Sequence, residues 1–311
     1  MPVGSYAVAS DTGRRRRRNE DNYVVAPPLF AVADGMGGAQ AGEVASKLAA
    51  SALEDGSSQS ETAQLGGLEH LDALIQEANR RIYDRASTDP TASGMGTTMT
   101  VALVEGMSVM IGHVGDSRAY LVRGDSMEQL TEDHSLVNEL LKSGKLSEEE
   151  AQIHPQRSVI TRAVGTDPVV DVDAFTIEAE DGDVFLICSD GLTDMVSDVD
   201  ILELVDSNRD DLEEAVRSLV QFANKEGGED NITAVAFRIS ANGSAEPAIE
   251  DTVTMPAVSD PEDHGEPDER TPESIEVPPR AEISPRRVRF VLAALVLVAI
   301  AAALLIWGLS H

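Results

Sequence analysis

The sequence is poor in cysteine, in basic residues and in aromatic residues. It has one cysteine, Cys188, among 311 residues, which excludes a disulfide framework or a cysteine-rich zinc module and indicates a reducing compartment. Lysine and arginine number 24 against 55 aspartates and glutamates, giving a formal net charge of −31. Because affinity for a phosphate backbone comes from lysine and arginine, this balance argues against a nucleic-acid-binding protein. It remains compatible with a site that concentrates cations.

Long apolar runs are absent except at one place, residues 290–309, where no residue is charged. At about 1.5 Å per helical residue this run spans about 30 Å, the thickness of the hydrocarbon core of a bilayer. Arg286, Arg287 and Arg289 precede it, and Trp307 lies near its far end. Since positive charge stays on the cytoplasmic side, we predict a single-pass membrane anchor with the preceding residues in the cytoplasm.

Composition divides the rest of the chain into two parts. Residues 241–282 hold seven of the 14 prolines and many acidic residues, so they have too little apolar surface to form a core. We therefore predict a catalytic domain over residues 1–240, a disordered acidic linker with a basic end over 241–289, and a transmembrane helix over 290–309. Residues 1–10 show no signal-peptide pattern.

Residues 1–240 alternate between β-rich and helical patterns. Apolar runs predict strands at residues 23–26, 29–33, 98–104, 108–114, 119–122, 184–188 and 232–239. Helical spacing predicts helices at residues 43–53, 68–86, 135–143, 199–205 and 212–223. Several strands are joined by turns too short for a crossover helix, so they pair antiparallel. The pattern predicts an α+β fold in which two antiparallel sheets pack face to face under outer helices.

Aspartate followed by glycine recurs where apolar strands end. Asp34-Gly35 follows one strand directly, and Asp190-Gly191 follows another after a single serine. Two further aspartates occupy comparable positions, namely Asp116 and Asp230. Taken singly, such a pair is typical of a turn or a helix cap. Four aspartates at strand ends in one domain predict a metal centre, because buried carboxylates repel one another without cations and oxygen ligands suit Mg²⁺ or Mn²⁺.

Five consecutive arginines, residues 14–18, directly precede Asn19-Glu20-Asp21. The planar guanidinium group binds phosphate oxygens in pairs. A metal centre beside such a group indicates phosphoryl chemistry. For most of the five arginines, a solvated basic loop remains the alternative interpretation.

Seven motifs occur in order along the chain: Ser-Asp-x-Gly-x-x-Arg-x-x-Asn-Glu-Asp, Asp-Gly-Met-Gly-Gly, Val-Gly-Asp-Ser-Arg-Ala-Tyr, Leu-Thr-x-Asp-His-Ser, Thr-Arg-Ala-Val-Gly, Ser-Asp-Gly-Leu-x-Asp and Glu-Asp-Asn-Ile-Thr. This set resembles the bacterial metal-dependent serine/threonine protein phosphatases of type 2C (PPM family) over about residues 5–239. The resemblance implies a four-layer α-β-β-α sandwich with a binuclear Mn²⁺ or Mg²⁺ site at one end of the sheets. It also implies hydrolysis by activated water, attacking the phosphate monoester in line, without a covalent phosphoenzyme.

By motif position, the resemblance implies that Asp34 bridges the two metals. Asp190 and Asp230 then complete the first metal site, and the carbonyl of Gly35 holds the second metal.

The remaining motif positions imply supporting roles. Asp116 and Asp194, together with Asp190, match a weaker third metal site. Glu20 and Asp21 match residues that orient metal-bound waters. Arg16 matches the arginine that holds the substrate phosphate, and the flap over the site is expected at residues 143–160.

The sequence departs from the family pattern at Met36, where some relatives carry a histidine that acts as general acid. The identity of the general acid is therefore left open. His113 is interpreted as a packing histidine with a catalytic alternative, and His134 as a helix cap or a residue ordering the flap hinge. Cys188 has Asp194 rather than arginine six positions later, which excludes a cysteine-dependent mechanism. No Gly-x-x-x-x-Gly-Lys-[Ser/Thr] loop is present either.

The sequence thus predicts a monomeric catalytic domain tethered to the cell membrane and acting on phosphorylated proteins. A membrane serine/threonine kinase and its substrates are the expected partners, with membrane lipid contacted through residues 290–309. Two alternatives remain. One is a regulatory phosphatase acting on an anti-sigma-factor antagonist, and the other is an inert phosphoprotein-binding module.

Overall fold

A computed structural model describes residues 2–37, 41–57 and 66–241. The predicted membrane helix and nearly all of the predicted linker lie outside these ranges. The strands are β1 (Val3–Asp11), β2 (Asp21–Ala26), β3 (Leu29–Met36), β4 (Gly96–Thr97), β5 (Met99–Glu105), β6 (Ser108–Val114), β7 (Arg118–Arg123), β8 (Ser126–Gln129), β9 (Asp173–Glu178), β10 (Val184–Cys188) and β11 (Ile232–Ile239). The helices are α1 (Ala41–Ser57), α2 (Gly67–Thr88), α3 (Leu136–Lys142), α4 (Glu148–Gln152), α5 (Asp190–Thr193), α6 (Asp198–Ser207) and α7 (Leu212–Glu226).

The strands form two sheets in which every pairing is antiparallel. One sheet has the order β1-β11-β10-β7-β8, and the other has the order β2-β3-β5-β6-β9 with β4 added beside β3. Helices α1 and α2 pack on the second sheet, and α6 and α7 lie on the first. The α+β prediction of two antiparallel sheets flanked by helices is confirmed.

The strand β3 shows why the central strands are apolar along their whole length. Successive side chains of a strand point to opposite faces of its sheet. Phe30 and Val32 point into the core between the sheets, while Leu29 and Ala31 point toward the layer of α1 and α2. In the inter-sheet core Phe30 stacks on Phe237 with ring centroids 4.2 Å apart. Both faces of β3 are therefore buried, and its end is rigidly held.

Four strands carry no strong sequence signal and were not predicted. These are β1, β4, β8 and β9. The side chains of β9 alternate between half-buried and exposed, and β8 is short and mostly exposed, so neither has an apolar run. The predicted strands and helices are all present; β6, β10 and β11 have the predicted bounds, and the others have shifted ends.

The predicted flap segment, residues 143–160, lies within a longer excursion of the chain. Ser135 pairs with Ile160 in an isolated antiparallel bridge, and the Leu136 N–H donates to the carbonyl of Val159 at 2.9 Å. The excursion between these pairs contains both α3 and α4. We refer to this whole excursion, residues 135–160, as the flap.

Within the described ranges, none of the helices combines the length and the hydropathy needed to cross a membrane.

Candidate metal centre

The ends of both sheets meet at Asp21 and Asp34. The two aspartates are directly opposite each other on β2 and β3 of the second sheet. The Asp21 carboxylate accepts hydrogen bonds from the hydroxyls of Ser189 at 2.8 Å and Thr233 at 2.7 Å, which belong to the first sheet and its adjoining loop. Asp21 thus links the two sheets through hydrogen bonds at the position paired with Asp34.

Asp190 begins the single-turn helix α5 just after β10, and Asp230 precedes the neighbouring strand β11. The backbone between them is packed closely. A Cβ atom placed on Gly191 would lie 1.9 Å from the carbonyl oxygen of Asn231, so only glycine fits there. The Asp-Gly pattern therefore reflects a real close approach at this strand end.

Gly35 shows the same constraint on the other sheet. Its N–H donates to the carbonyl of Glu20 at 3.1 Å, and a Cβ atom on Gly35 would lie 2.1 Å from the carbonyl oxygen of Gly42 in α1. The backbone after Asp34 consequently packs closely between the backbone of Glu20 and the start of α1. This arrangement brings the Gly35 backbone and the Glu20 side chain into the same small region.

The surroundings of the carboxyl groups at this edge of the sheets disfavour their ionised forms. Burial raises the pKa of Asp34 well above its usual value, and the charges of Asp21 and Asp190 raise it further. Burial, followed by the charge of Asp116, does the same to the pKa of Asp190. Asp34 therefore lies among carboxyl groups that raise one another's pKa. Such mutual repulsion is the condition that a bound cation relieves.

Flanking carboxyl groups share this property. Burial raises the pKa of Asp21 to about 6 and that of Asp116 to about 7. Burial also raises the pKa values of Glu20 and Asp194.

The donor set fits a hard divalent cation. One carboxylate oxygen in each of Asp21, Asp116 and Asp190 is buried without a hydrogen-bond partner. All the converging side-chain donors are oxygens, the ligand type that Mg²⁺ and Mn²⁺ prefer. In residues 2–37, 41–57 and 66–241, no three His, Cys, Asp or Glu side chains already stand in coordinating positions.

Arg16 lies at this centre through an ion pair with Asp230. Its Nη2 atom is 2.5 Å from Asp230 Oδ2. The hydrogen bond to Asp230 raises the pKa of the guanidinium further above its usual value, so Arg16 stays charged. The structure therefore brings together Arg16, Asp34, Asp190 and the more exposed Asp230.

Asn231 is a site residue that sequence reasoning missed. Its side chain accepts a hydrogen bond from the Glu20 N–H at 2.8 Å and donates to the carbonyls of Thr12 and Arg18, both at 2.9 Å. Asn231 is buried and holds both ends of the arginine-rich loop beside the carboxylates. The only signal was its place in the Glu-Asp-Asn motif directly after Asp230.

Asp116 and Asp194 lie on the flap side of the centre. Together with Asp190 they line a cavity of about 880 Å³ that extends to Leu141 and Ala151 in the flap. Arg157 of the flap approaches Asp194, with an N–O distance of 3.6 Å. The predicted third-site residues therefore sit beneath the flap, adjacent to the main cluster.

The two histidines singled out in the sequence have structural contacts. Both ring nitrogens of His113 are hydrogen-bonded, to the Thr100 hydroxyl at 2.9 Å and to the Glu132 carbonyl at 3.1 Å. His134 accepts from the Gly115 N–H through Nδ1 at 3.0 Å, and its carbonyl accepts from Thr161. His134 thus connects the turn before Asp116 to the base of the flap, and Ser135 caps α3 instead.

Comparison with known proteins agrees with this architecture. The family model described as "Protein phosphatase 2C" matches residues 15–235. The serine/threonine phosphatase stp of Listeria innocua is 43% identical over 235 residues, covering 73% of this chain and 92% of the relative. The serine/threonine phosphatase PstP/Ppp of Mycobacterium tuberculosis superposes with a TM-score of 0.71 at 40% identity, covering 76% of this chain and 99% of that structure.

The chain therefore belongs to the protein phosphatase 2C family, whose members are metal-dependent serine/threonine protein phosphatases. A structure of the PstP catalytic domain in complex with two manganese ions is also similar, with a TM-score of 0.69 at 38% identity over 76% of this chain and 99% of that one. The predicted enzyme class and the predicted Mn²⁺ or Mg²⁺ cofactor are confirmed.

Proposed function

We propose that this chain hydrolyses phosphoserine and phosphothreonine in proteins at the carboxylate cluster around Asp34. The observation that carries the proposal is the meeting of Asp34, Asp190 and Asp230 at one end of the two sheets, with the Arg16 guanidinium 2.5 Å from Asp230. A cluster of carboxylates supplies metal ligands, and the adjacent arginine supplies a paired donor for a phosphate.

The proposed ligands follow from these positions. Asp34, Asp190, Asp230 and the Gly35 carbonyl would hold two cations. Asp116 and Asp194, with Asp190, would hold a weaker third. When bound, Mn²⁺ or Mg²⁺ neutralises negative charge on the phosphate and activates water.

The side chains around the ligands orient the reactants. Arg16, which stays protonated, would bind two phosphate oxygens and align the phosphorus for in-line attack. Glu20 and Asp21 would orient water through their carboxylate oxygens. Asp21 is suited to this because Ser189 and Thr233 fix one of its oxygens and leave the other without a partner.

Hydrolysis of a phosphothreonine peptide in Mn²⁺ tests the proposal. The full chain is expected to release phosphate, and Asp190→Asn is expected to abolish release. An inert binding module would bind the peptide in both forms and release nothing. Absence of Mn²⁺-dependent hydrolysis by the wild-type chain would therefore contradict the proposed function.

We further propose that residues 1–240 form the catalytic domain, that residues 241–289 form a linker and that residues 290–309 anchor it in the cell membrane with the domain in the cytoplasm. The uncharged apolar run and the preceding arginines support this proposal. A tether raises the effective concentration of membrane-associated phosphoproteins, including a membrane serine/threonine kinase and its substrates. Deletion of residues 290–309 should move the protein from the membrane fraction to the soluble fraction, and an unchanged distribution would contradict the anchor.

A further inference from the structure

The arginine-rich loop contains two side chains that the proposed hydrolysis does not use. Almost every arginine in residues 2–37 and 66–241 forms an ion pair with a carboxylate, as expected where acidic residues are in excess. Arg14 and Arg17 are the exceptions within those ranges, and both are exposed. They flank Arg16, the residue beside the metal centre.

The backbone that carries these side chains is fixed. The N–H groups of Arg14 and Arg15 both donate to the carbonyl of Gly228, at 2.7 and 3.2 Å. Gly13 has a φ of +76°, and a Cβ atom there would lie 2.1 Å from the carbonyl oxygen of Asp230. At the far end, Asn231 donates to the carbonyl of Arg18. The loop is therefore fastened at both ends to the segment that contains Asp230.

The neighbouring arginines are already engaged with acidic side chains. Arg15 pairs with Glu229 at 3.8 Å, and Arg16 pairs with Asp230. Arg14 and Arg17 are thus a local surplus of positive charge in the loop, on either side of Arg16. In a chain with a net charge of −31, which repels anionic peptides at long range, only such a local surplus favours an acidic ligand.

We propose that Arg14 and Arg17 form a specificity subsite for a second anionic group on the substrate, either an acidic side chain or another phosphate, close in sequence to the residue being dephosphorylated. This inference rests on the proposed function. Arg14 and Arg17 are two positions and one position from Arg16, a backbone span of at most about 7 Å, and an extended peptide advances about 3.4 Å per residue, so the second group lies within about three residues of the scissile phosphate. Guanidinium groups suit either anion, and bind a phosphate through paired hydrogen bonds.

An acidic peptide fits this position better than an anionic membrane surface. The loop is bound to the segment of Asp230, so Arg14 and Arg17 lie within two positions of Arg16, which contacts the proposed metal ligand Asp230. A lipid surface pressed against Arg14 and Arg17 would also cover Arg16, whereas a peptide bound to Arg16 through its phosphate would place its neighbouring residues beside them.

The test compares phosphothreonine peptides that differ only in the flanking residues: neutral, aspartate-containing, doubly phosphorylated or lysine-containing. With the full chain in Mn²⁺ at low ionic strength, kcat/KM for the acidic and doubly phosphorylated peptides is expected to exceed that for the neutral one by about tenfold, mainly through KM. The preference should shrink as salt is added.

Two double variants and a matched control identify the residues responsible. Arg14→Gln with Arg17→Gln should bring the ratio of kcat/KM values to about one, and Arg14→Glu with Arg17→Glu should shift the preference to the lysine-containing peptide. Arg80→Gln with Arg217→Gln removes the same charge from helices α2 and α7 and should leave the ratio unchanged.

The outcomes are distinguishable. Equal kcat/KM for all peptides in the wild-type chain, or a preference that survives both double variants, overturns the subsite while the proposed function stands. Loss of binding to phosphatidylserine vesicles in the variants, with peptide preference unchanged, also overturns it and assigns the arginines to a membrane. Failure of the wild-type chain to hydrolyse any peptide contradicts the proposed function, and this inference falls with it.

Discussion

The side-chain amide of Asn231 donates a hydrogen bond to the carbonyl oxygen of Arg18, 2.9 Å away, although the two residues are 213 positions apart. The same side chain bonds Thr12 and Glu20. One buried amide therefore sets both ends of the loop that presents Arg16, and the position of the guanidinium proposed to bind phosphate depends on a residue outside the proposed phosphate contacts.

Asn231→Ala is expected to lower stability and to weaken substrate binding. The substitution removes three part-buried hydrogen bonds to the backbone, which should lower the free energy of unfolding by about 2–4 kcal/mol. KM for a phosphopeptide should rise more than kcat falls, because Arg16 loses its fixed position. Denaturant unfolding and steady-state kinetics measure both effects. Asn208→Ala, which loses one hydrogen bond to Leu204, is the control, and equal effects of the two variants would contradict the assignment.

Asp190→Asn is expected to change stability in opposite directions with and without metal. In EDTA the variant should have the higher Tm, because it removes a buried carboxylate that neighbouring carboxylates repel. In excess Mn²⁺ the wild type should be the more stable, because ion binding to the folded state stabilises it. Thermal unfolding in both buffers and calorimetric titration with Mn²⁺ test this. Asp125→Asn, at an exposed turn, should leave both Tm values and Mn²⁺ affinity unchanged. Unaltered Mn²⁺ affinity in Asp190→Asn would refute its role as a ligand.

Gly191→Ala is expected to destabilise the fold by about 1–3 kcal/mol. The added methyl group would lie 1.9 Å from the carbonyl oxygen of Asn231, and backbone must move to accept it. Because Asp190 and Asp230 adjoin the displaced segments, Mn²⁺ affinity should fall as well. Chemical unfolding and Mn²⁺ titration are the measurements. Gly66→Ala adds the same methyl group where no atom lies within 4 Å, so it should be nearly neutral. A neutral Gly191→Ala would show that the strand end can relax.

His113 is expected to make stability depend on pH. Burial, followed by the nearby His134, lowers the pKa of His113 to about 4, against about 6.5 in an unfolded chain. A lowered pKa means that the unfolded state binds the proton more readily. The contribution of His113 is therefore complete above about pH 6.5 and is lost as the pH falls toward 4. Between pH 7.5 and pH 5 the wild type should lose about 2 kcal/mol more than His113→Gln. Equal losses in urea unfolding would place the acid sensitivity elsewhere.

Much of the fold could be predicted from the sequence because its central strands are apolar on both faces. The run before Asp34 is continuous for that reason, and the glycine after the aspartate marks a real close approach of the backbone. The strand β9 was not readable, since it alternates between half-buried and exposed side chains and contains acidic residues at both ends.

Single motifs could be assigned to the site from the sequence, but the hydrogen bonds between those motifs could not. Asp21 was assigned near the metals, but its hydrogen bonds to Ser189 and Thr233 arise only when the two sheets pack. The role of Asn231 depends in the same way on contacts between segments more than 200 positions apart. Contacts between residues so far apart in the chain cannot be inferred from the local sequence around either residue.

The bridge between Ser135 and Ile160 makes the flap a closed loop whose length can change with little effect on the sandwich. The chain leaves the sandwich and returns to it at one pair of residues, so the ends of the excursion are already joined. Lengthening such a closed loop adds little entropic cost, about 0.6 kcal/mol for each doubling. Insertion, deletion or exchange within residues 136–159 should therefore leave the positions of the aspartates at the strand ends unchanged.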